Sequence, residues 1–209
     1  IYDQLLLNFL FNENINPNFN PTDSELRKFF SWQNTTIHVR HLFAQTKEKI
    51  EDLNYRLSRS QEIWENLAME CFQDSILKSN GGNIGWHNYN DLDPLFAYQA
   101  FSIGIGDISE PIRTKKGYSI IHVLEKKHNN FLLEKDFQLK RDEMEELISN
   151  FQQNKLLLEY TDKTMEALAI KFNKQNLLDL HQFLTFVNHK NLESFQEKHI
   201  VSYQDMHLN

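Results

Sequence analysis

Cysteine occurs once in these 209 residues, at Cys71, so no disulfide can form within the chain. That thiol falls on an apolar helical stripe and reads as a core group rather than a reactive one. Long hydrophobic runs are also missing: no apolar stretch approaches the roughly 18 residues that a membrane-spanning helix needs. A basic excess is missing too, since 22 Lys and Arg stand against 29 Asp and Glu for a net charge of −7. A phosphate-backbone partner favours a basic face, so nucleic-acid binding is not expected. The chain opens on Ile1 with no recognisable signal segment, which fits a processed or excised fragment.

Glycine is scarce and unevenly placed. Gly81, Gly82, Gly85, Gly104, Gly106 and Gly117 are the only six, and all lie in the middle of the chain. Glycine marks tight turns and close backbone approaches, whereas its absence suits long helices. A turn-rich, strand-containing module in the middle, with helices on either side, is the arrangement this predicts.

The remaining local signals agree. An apolar helix is expected over residues 3–11, followed by an Asn/Pro-rich link over 12–21. Thr22-Asp-Ser-Glu25 has the form of a capping box and opens a second helix to about Trp32. Ile37, Val39, His41 and Phe43 alternate with His38, Arg40 and Leu42, a period of two that predicts a strand. Ile50, Leu53 and Leu57 mark a helix. Ser60 is placed to cap the next one, where Trp64, Leu67, Ala68 and Cys71 follow helical spacing. Tyr118 to Leu124 is a β-branched run that reads as a buried strand. Met144, Leu147, Ile148 and Phe151, then Met165, Leu168, Ala169 and Phe172, predict a helix over about 134–172, broken at most once. A short apolar stretch at 183–187 and a helix near 192–199 complete the expectation.

Read in order, the middle contains His38-Val-Arg-His41-Leu-Phe, Trp64-Glu-Asn-Leu-Ala68, Phe72-Gln-Asp-Ser75 and Asn80-Gly-Gly-Asn-Ile-Gly-Trp86. Phe96, Ala100-Phe101, Gly106-Asp-Ile-Ser-Glu-Pro111 and Thr114-Lys-Lys-Gly-Tyr-Ser-Ile-Ile121 follow. This succession resembles the parvulin (PpiC-type) peptidyl-prolyl isomerases. Each motif alone is weak; their shared order and spacing carry the likeness. It implies an α+β fold, a four-stranded antiparallel sheet with surrounding helices, over residues 36–127. Residues 1–35 and 128–209 would be N- and C-terminal helical segments. Thr22-Asp-Ser-Glu-Leu26 is similar to the helix that precedes the isomerase in bacterial extracytoplasmic parvulin chaperones. That likeness implies a place in the bacterial cell envelope or periplasm, and it leaves a homodimer through the helices open.

By the same resemblance the activity is X–Pro isomerisation in proline-containing peptides or unfolded client proteins. The proline pocket is formed by Leu92 and Phe96 with Ile84 on its rim, and Phe101 packs beneath as a core residue. His41 matches the first family histidine, and its residue type alone leaves a structural and a functional role open. Ser119 stands where a second histidine is usual, Ser75 where Cys or Asp faces the rotating carbonyl, and Thr114 at a family hydroxyl. His122 cannot replace the missing histidine, because residues three apart on a strand point to opposite faces. The departures at Ser75 and Ser119 imply reduced or substrate-limited catalysis with peptide binding retained; the alternative is a catalytically poor parvulin-like chaperone.

Other chemistry is not expected. His38 and His41 diverge on a strand, and His181, His189 and His199 lack a ligand motif, so neither metal nor cofactor is predicted. Arg113, Lys115 and Lys116 read as a solvated hairpin. The loop Gln45-Thr-Lys-Glu-Lys49 is too mixed in charge for phosphate selection, and Gly104-Ile-Gly-Asp completes no nucleotide motif.

Overall fold

The structure, a computed structural model, describes residues 20–129, 133–169, 171–173, 175–178, 201–203 and 206–208. The helix expected over 3–11, most of the following link, the apolar stretch at 183–187 and the helix near 192–199 lie outside the described residues.

Helix α1 (Asp23–Gln33) starts at the expected capping box: the Glu25 N–H donates to Thr22 Oγ1 at 3.3 Å and the Thr22 N–H to Glu25 Oε2 at 2.8 Å. These bonds satisfy two of the donors that a helix start leaves free. Strand β1 (Thr35–Ala44) follows, then helices α2 (Lys47–Ser58), α3 (Trp64–Cys71) and α4 (Ser75–Ser79). Strand β2 (Asn83–His87), a 3-10 turn (Tyr89–Asp91), helix α5 (Pro94–Ser102) and strands β3 (Ile112–Thr114) and β4 (Gly117–His128) complete the middle. The four strands pair antiparallel in the order β2-β1-β4-β3, an α+β arrangement.

Both faces of this sheet are covered, which explains why β1 and β4 bury residues of both parities. Ile37, Val39, Ile121 and Val123 face a core built with α1 and α5 and with helices α6 (Glu134–Leu139) and α7 (Arg141–Ala167). Leu42, Ala44 and Ile120 face a second core with Ile50, Leu53, Trp64, Leu67 and Ala68 of α2 and α3. Aromatic rings dominate the first core. Trp32 stacks on Tyr89 with centroids 5.9 Å apart, and Tyr98 stacks on Phe151 at 4.1 Å. Arg27 forks onto the Glu134 carboxylate at 2.8 and 2.9 Å, joining α1 to α6 at the surface.

The contact pattern divides the chain into two compact units between Leu158 and Glu159. In the second unit a small antiparallel sheet joins β5 (Lys171–Phe172), β6 (Val201–Tyr203) and β7 (Met206–Leu208).

Three local expectations are corrected. The helix predicted over 134–172 has the single break allowed for it, at Lys140, but ends early, at Ala167. Ala169 takes a left-handed conformation (φ 47°) that stops the helix, and Lys171 and Phe172 find their partners in β6 instead. Ser60 does not cap α3: it has φ 53° and lies outside the helix, whose start at Ile63 has no side-chain cap. The glycine-rich middle is also more helical than expected, because Asp74 and Asp93 cap α4 and α5 through their carboxylates. Pro94 at the first turn of α5 has no N–H to leave unpaired there, which favours a helix start.

Candidate active site

Period-two geometry sends His41 and Phe43 to the same side of β1, next to Ser119 on β4, whose register partner is Phe43. Opposite them, the turn and first residues of α5 bring Leu92, Asp93 and Phe96. Together with Ile84, Asp91, Thr114, Lys115 and Lys116 they enclose a pocket of about 460 Å³. Its register has a physical origin on β2. Val39 pairs with Gly85 and Arg40 with Asn83, so Ile84 is the extra residue of a bulge, and it lines the pocket.

Two glycines permit the close approaches behind this wall. A Cβ on Gly82 (φ 73°) would lie 2.1 Å from the His41 carbonyl oxygen, and the His41 N–H donates to Gly82 O at 3.0 Å. A Cβ on Gly117 would lie 2.5 Å from the Ala44 carbonyl and 3.0 Å from the Phe43 ring. Gly117 O in turn accepts from the Thr114 hydroxyl at 3.1 Å, which fixes that side chain at the pocket.

His41 lies between two rings, its centroid 5.3 Å from Phe72 and 5.6 Å from Phe96, the latter edge-on. Its Nδ1 is buried without a hydrogen-bond partner, and burial pushes its pKa down to about 4. The imidazole is therefore neutral at neutral pH. Such a ring has both a donor and an acceptor nitrogen and adds no charge to the pocket. No hydrogen bond engages the Ser119 hydroxyl among the described residues, and this residue is only 2% exposed.

Of the residues expected at the site, His41, Ile84, Leu92, Phe96, Thr114 and Ser119 line one pocket. Ser75 is not among them. It is an exposed first residue of α4, next to the capping Asp74, so its expected position facing the rotating carbonyl is corrected. Phe101 packs in the core against Tyr89 at 5.3 Å, beneath the pocket rather than in its wall. His122 points to the other face of the sheet, where its Nδ1 accepts from Arg40 Nε at 3.0 Å and its ring packs against Trp64. Phe43, Asp91, Asp93, Lys115 and Lys116 were not anticipated in the wall. Phe43 was legible, two residues from His41 on the same strand face. The lysines were not, because a charged hairpin is normally solvated and only the tertiary fold turns it toward a pocket.

A sheet of this order, wrapped by helices and carrying an apolar notch beside a buried imidazole, is the parvulin arrangement. Residues 38–125 match the family model described as the PPIC-type PPIASE (rotamase) domain, and this part of the chain is a parvulin-type domain. Beyond the domain, the chain is similar to curated foldases. It is 29% identical over 159 residues to foldase protein PrsA of Caldanaerobacter subterraneus subsp. tengcongensis, covering 75% of this chain and 50% of that protein. Foldase protein PrsA of Bacillus subtilis is 26% identical over 163 residues, covering 78% and 53%. The crystal structure of PrsA from Bacillus subtilis superposes with a TM-score of 0.41 at 26% identity, covering 78% of this chain and 60% of that one. The chain thus spans about half the length of the curated relatives it matches.

Proposed function

We propose that the protein is a peptidyl-prolyl cis–trans isomerase that assists the folding of other proteins. Its substrates are proline-containing segments of unfolded clients. An X–Pro bond interconverts over tens of seconds or longer because its partial double bond sets a barrier of ~20 kcal/mol. No covalent bond need break; the site has only to bind the twisted amide better than either planar form. Twisting ends the resonance, leaving a pyramidal nitrogen and a ketone-like carbonyl. The pocket supports this reading. Leu92, Phe96, Phe43 and Ile84 offer an apolar seat for a prolyl ring. His41 and Ser119 stand beside it as neutral hydrogen-bonding groups, and surroundings low in dielectric strengthen whatever polar contact the twisted amide gains. Thr114 acts as a positioning residue, because its hydroxyl is already given to Gly117 O.

A specific observation favours a second reading. Ser119 replaces an ionisable group and Ser75 lies outside the lining, so His41 is the only member of the expected catalytic set in the pocket that can titrate. In that reading the pocket holds clients with little catalysis. We assign the cell envelope as the place of action, with α1 ahead of the isomerase and α6 and α7 after it as its helical flanks and pairing of two copies through helices; the strands β5, β6 and β7 depart from the helical segment expected over 128–209. A tetrapeptide series decides between the readings. Acceleration of X–Pro isomerisation over buffer supports the enzyme; its absence, together with suppressed client aggregation, supports the holding protein.

A further inference from the structure

Charges of both signs border the pocket, and they differ in how they are already used. Asp91 Oδ2 accepts from the Asn88 N–H at 2.8 Å and from Asn88 Nδ2 at 3.1 Å, closing the turn before α5. Asp93 Oδ1 accepts from the N–H groups of Leu95 at 3.1 Å and Phe96 at 3.3 Å, and its Oδ2 meets the Lys115 N–H at 3.5 Å. Both carboxylates are held by backbone turns. Lys115 and Lys116, in the tight turn between β3 and β4, line the same pocket, are solvent-exposed and have no ion pair among the described residues. They stand out on a chain of net charge −7.

We propose that Lys115 and Lys116 make the pocket select prolines that have an aspartate or glutamate as a sequence neighbour. The inference rests on the reading of this cavity as a proline site and names the substrate class that it prefers. A lysine ammonium is a compact charge on a long stem, so it can follow a carboxylate that moves as the amide rotates. The carboxylates across the mouth keep their charge, but hydrogen bonds hold Asp91 and Asp93 in the turn before α5, so neither can follow the lysines as a mobile substrate carboxylate does. Exposed pairs are weak individually, so the expected discrimination is about threefold to tenfold at low salt, fading as the ionic strength rises.

The test uses acetylated, amidated hexapeptides, so that no terminal carboxylate competes, containing Glu-Pro, Gln-Pro, Pro-Glu or Pro-Gln. Their affinities for the wild-type chain and for the double variant Lys115→Gln/Lys116→Gln are measured at low and high salt. The readout is the ratio between each acidic peptide and its amide twin. A wild-type preference for at least one acidic peptide that disappears in the double variant and in high salt supports the assignment. Equal binding of acidic and amide peptides by the wild type, or a ratio that the double variant leaves in place, overturns it while leaving the proline pocket intact. If no proline peptide binds at all, the pocket reading and this inference fall together.

Discussion

Replacing His41 with leucine should make the protein less sensitive to acid. The imidazole is enclosed by Phe72 and Phe96, its Nδ1 has no partner, and burial holds its pKa at about 4 against an ordinary 6.5. Above the ordinary value both folded and unfolded chains carry neutral histidine, and the group makes no proton-linked contribution. As the pH falls below it, the unfolded chain takes up a proton that the folded site refuses, so stability declines until the folded histidine also titrates. Between about pH 7 and pH 5 this difference costs the native state about 2 kcal/mol. Leucine has no such linkage and loses no hydrogen bond at Nδ1, so the variant should lose about 2 kcal/mol less than the wild type across that interval, while His122, whose pKa burial also lowers, keeps its own share in both. Urea unfolding followed by tryptophan fluorescence measures this directly, because Trp32, Trp64 and Trp86 all lie before the Leu158 boundary. If wild type and variant lose the same stability between the two pH values, His41 is not the desolvated neutral group described above.

Three further outcomes are expected. Phe96→Ala removes one wall of the pocket and part of the first core; affinity for proline peptides should fall about tenfold or more, with a cost near 3 kcal/mol in stability. Unchanged peptide affinity by titration would mean the prolyl ring sits elsewhere. Gly82→Ala should destabilise by on the order of 3 kcal/mol, because a left-handed residue gains a Cβ against the His41 carbonyl; a melting temperature close to wild type would contradict the close approach. Cys71 is half-buried and burial is the leading cause of its raised pKa, so its alkylation in the native state should be much slower than in urea. Equal rates in the two states would show that the thiol is not shielded.

Several features were decided by the sequence alone. The capping box at Thr22 and the period-two strand at β1 are local: each is set by residues a few positions apart, and each forms where expected. The succession of motifs from His38 to Ile121 likewise identified the sheet and the residue types around its pocket. Other features exist only in three dimensions. The alternation along β1 does not say that both faces are covered, since that depends on where α3 and α5 come to rest. Ile84 enters the pocket through a bulge on β2, a one-residue shift that no side-chain pattern announces. The stripe ending at Phe172 looked helical, yet its last residues pair with a strand about thirty positions later, because backbone groups take whichever partner the fold supplies. Motif order aligns Ser75 without placing it, and in the sequence Lys115 and Lys116 read as solvated residues, whereas the hairpin sets them beside Asp91 and Asp93. Desolvation of His41 belongs to the same class. Its burial comes from Phe72 and Phe96, which are distant in the chain and near only after folding, so composition and spacing could name the residue but not its charge state.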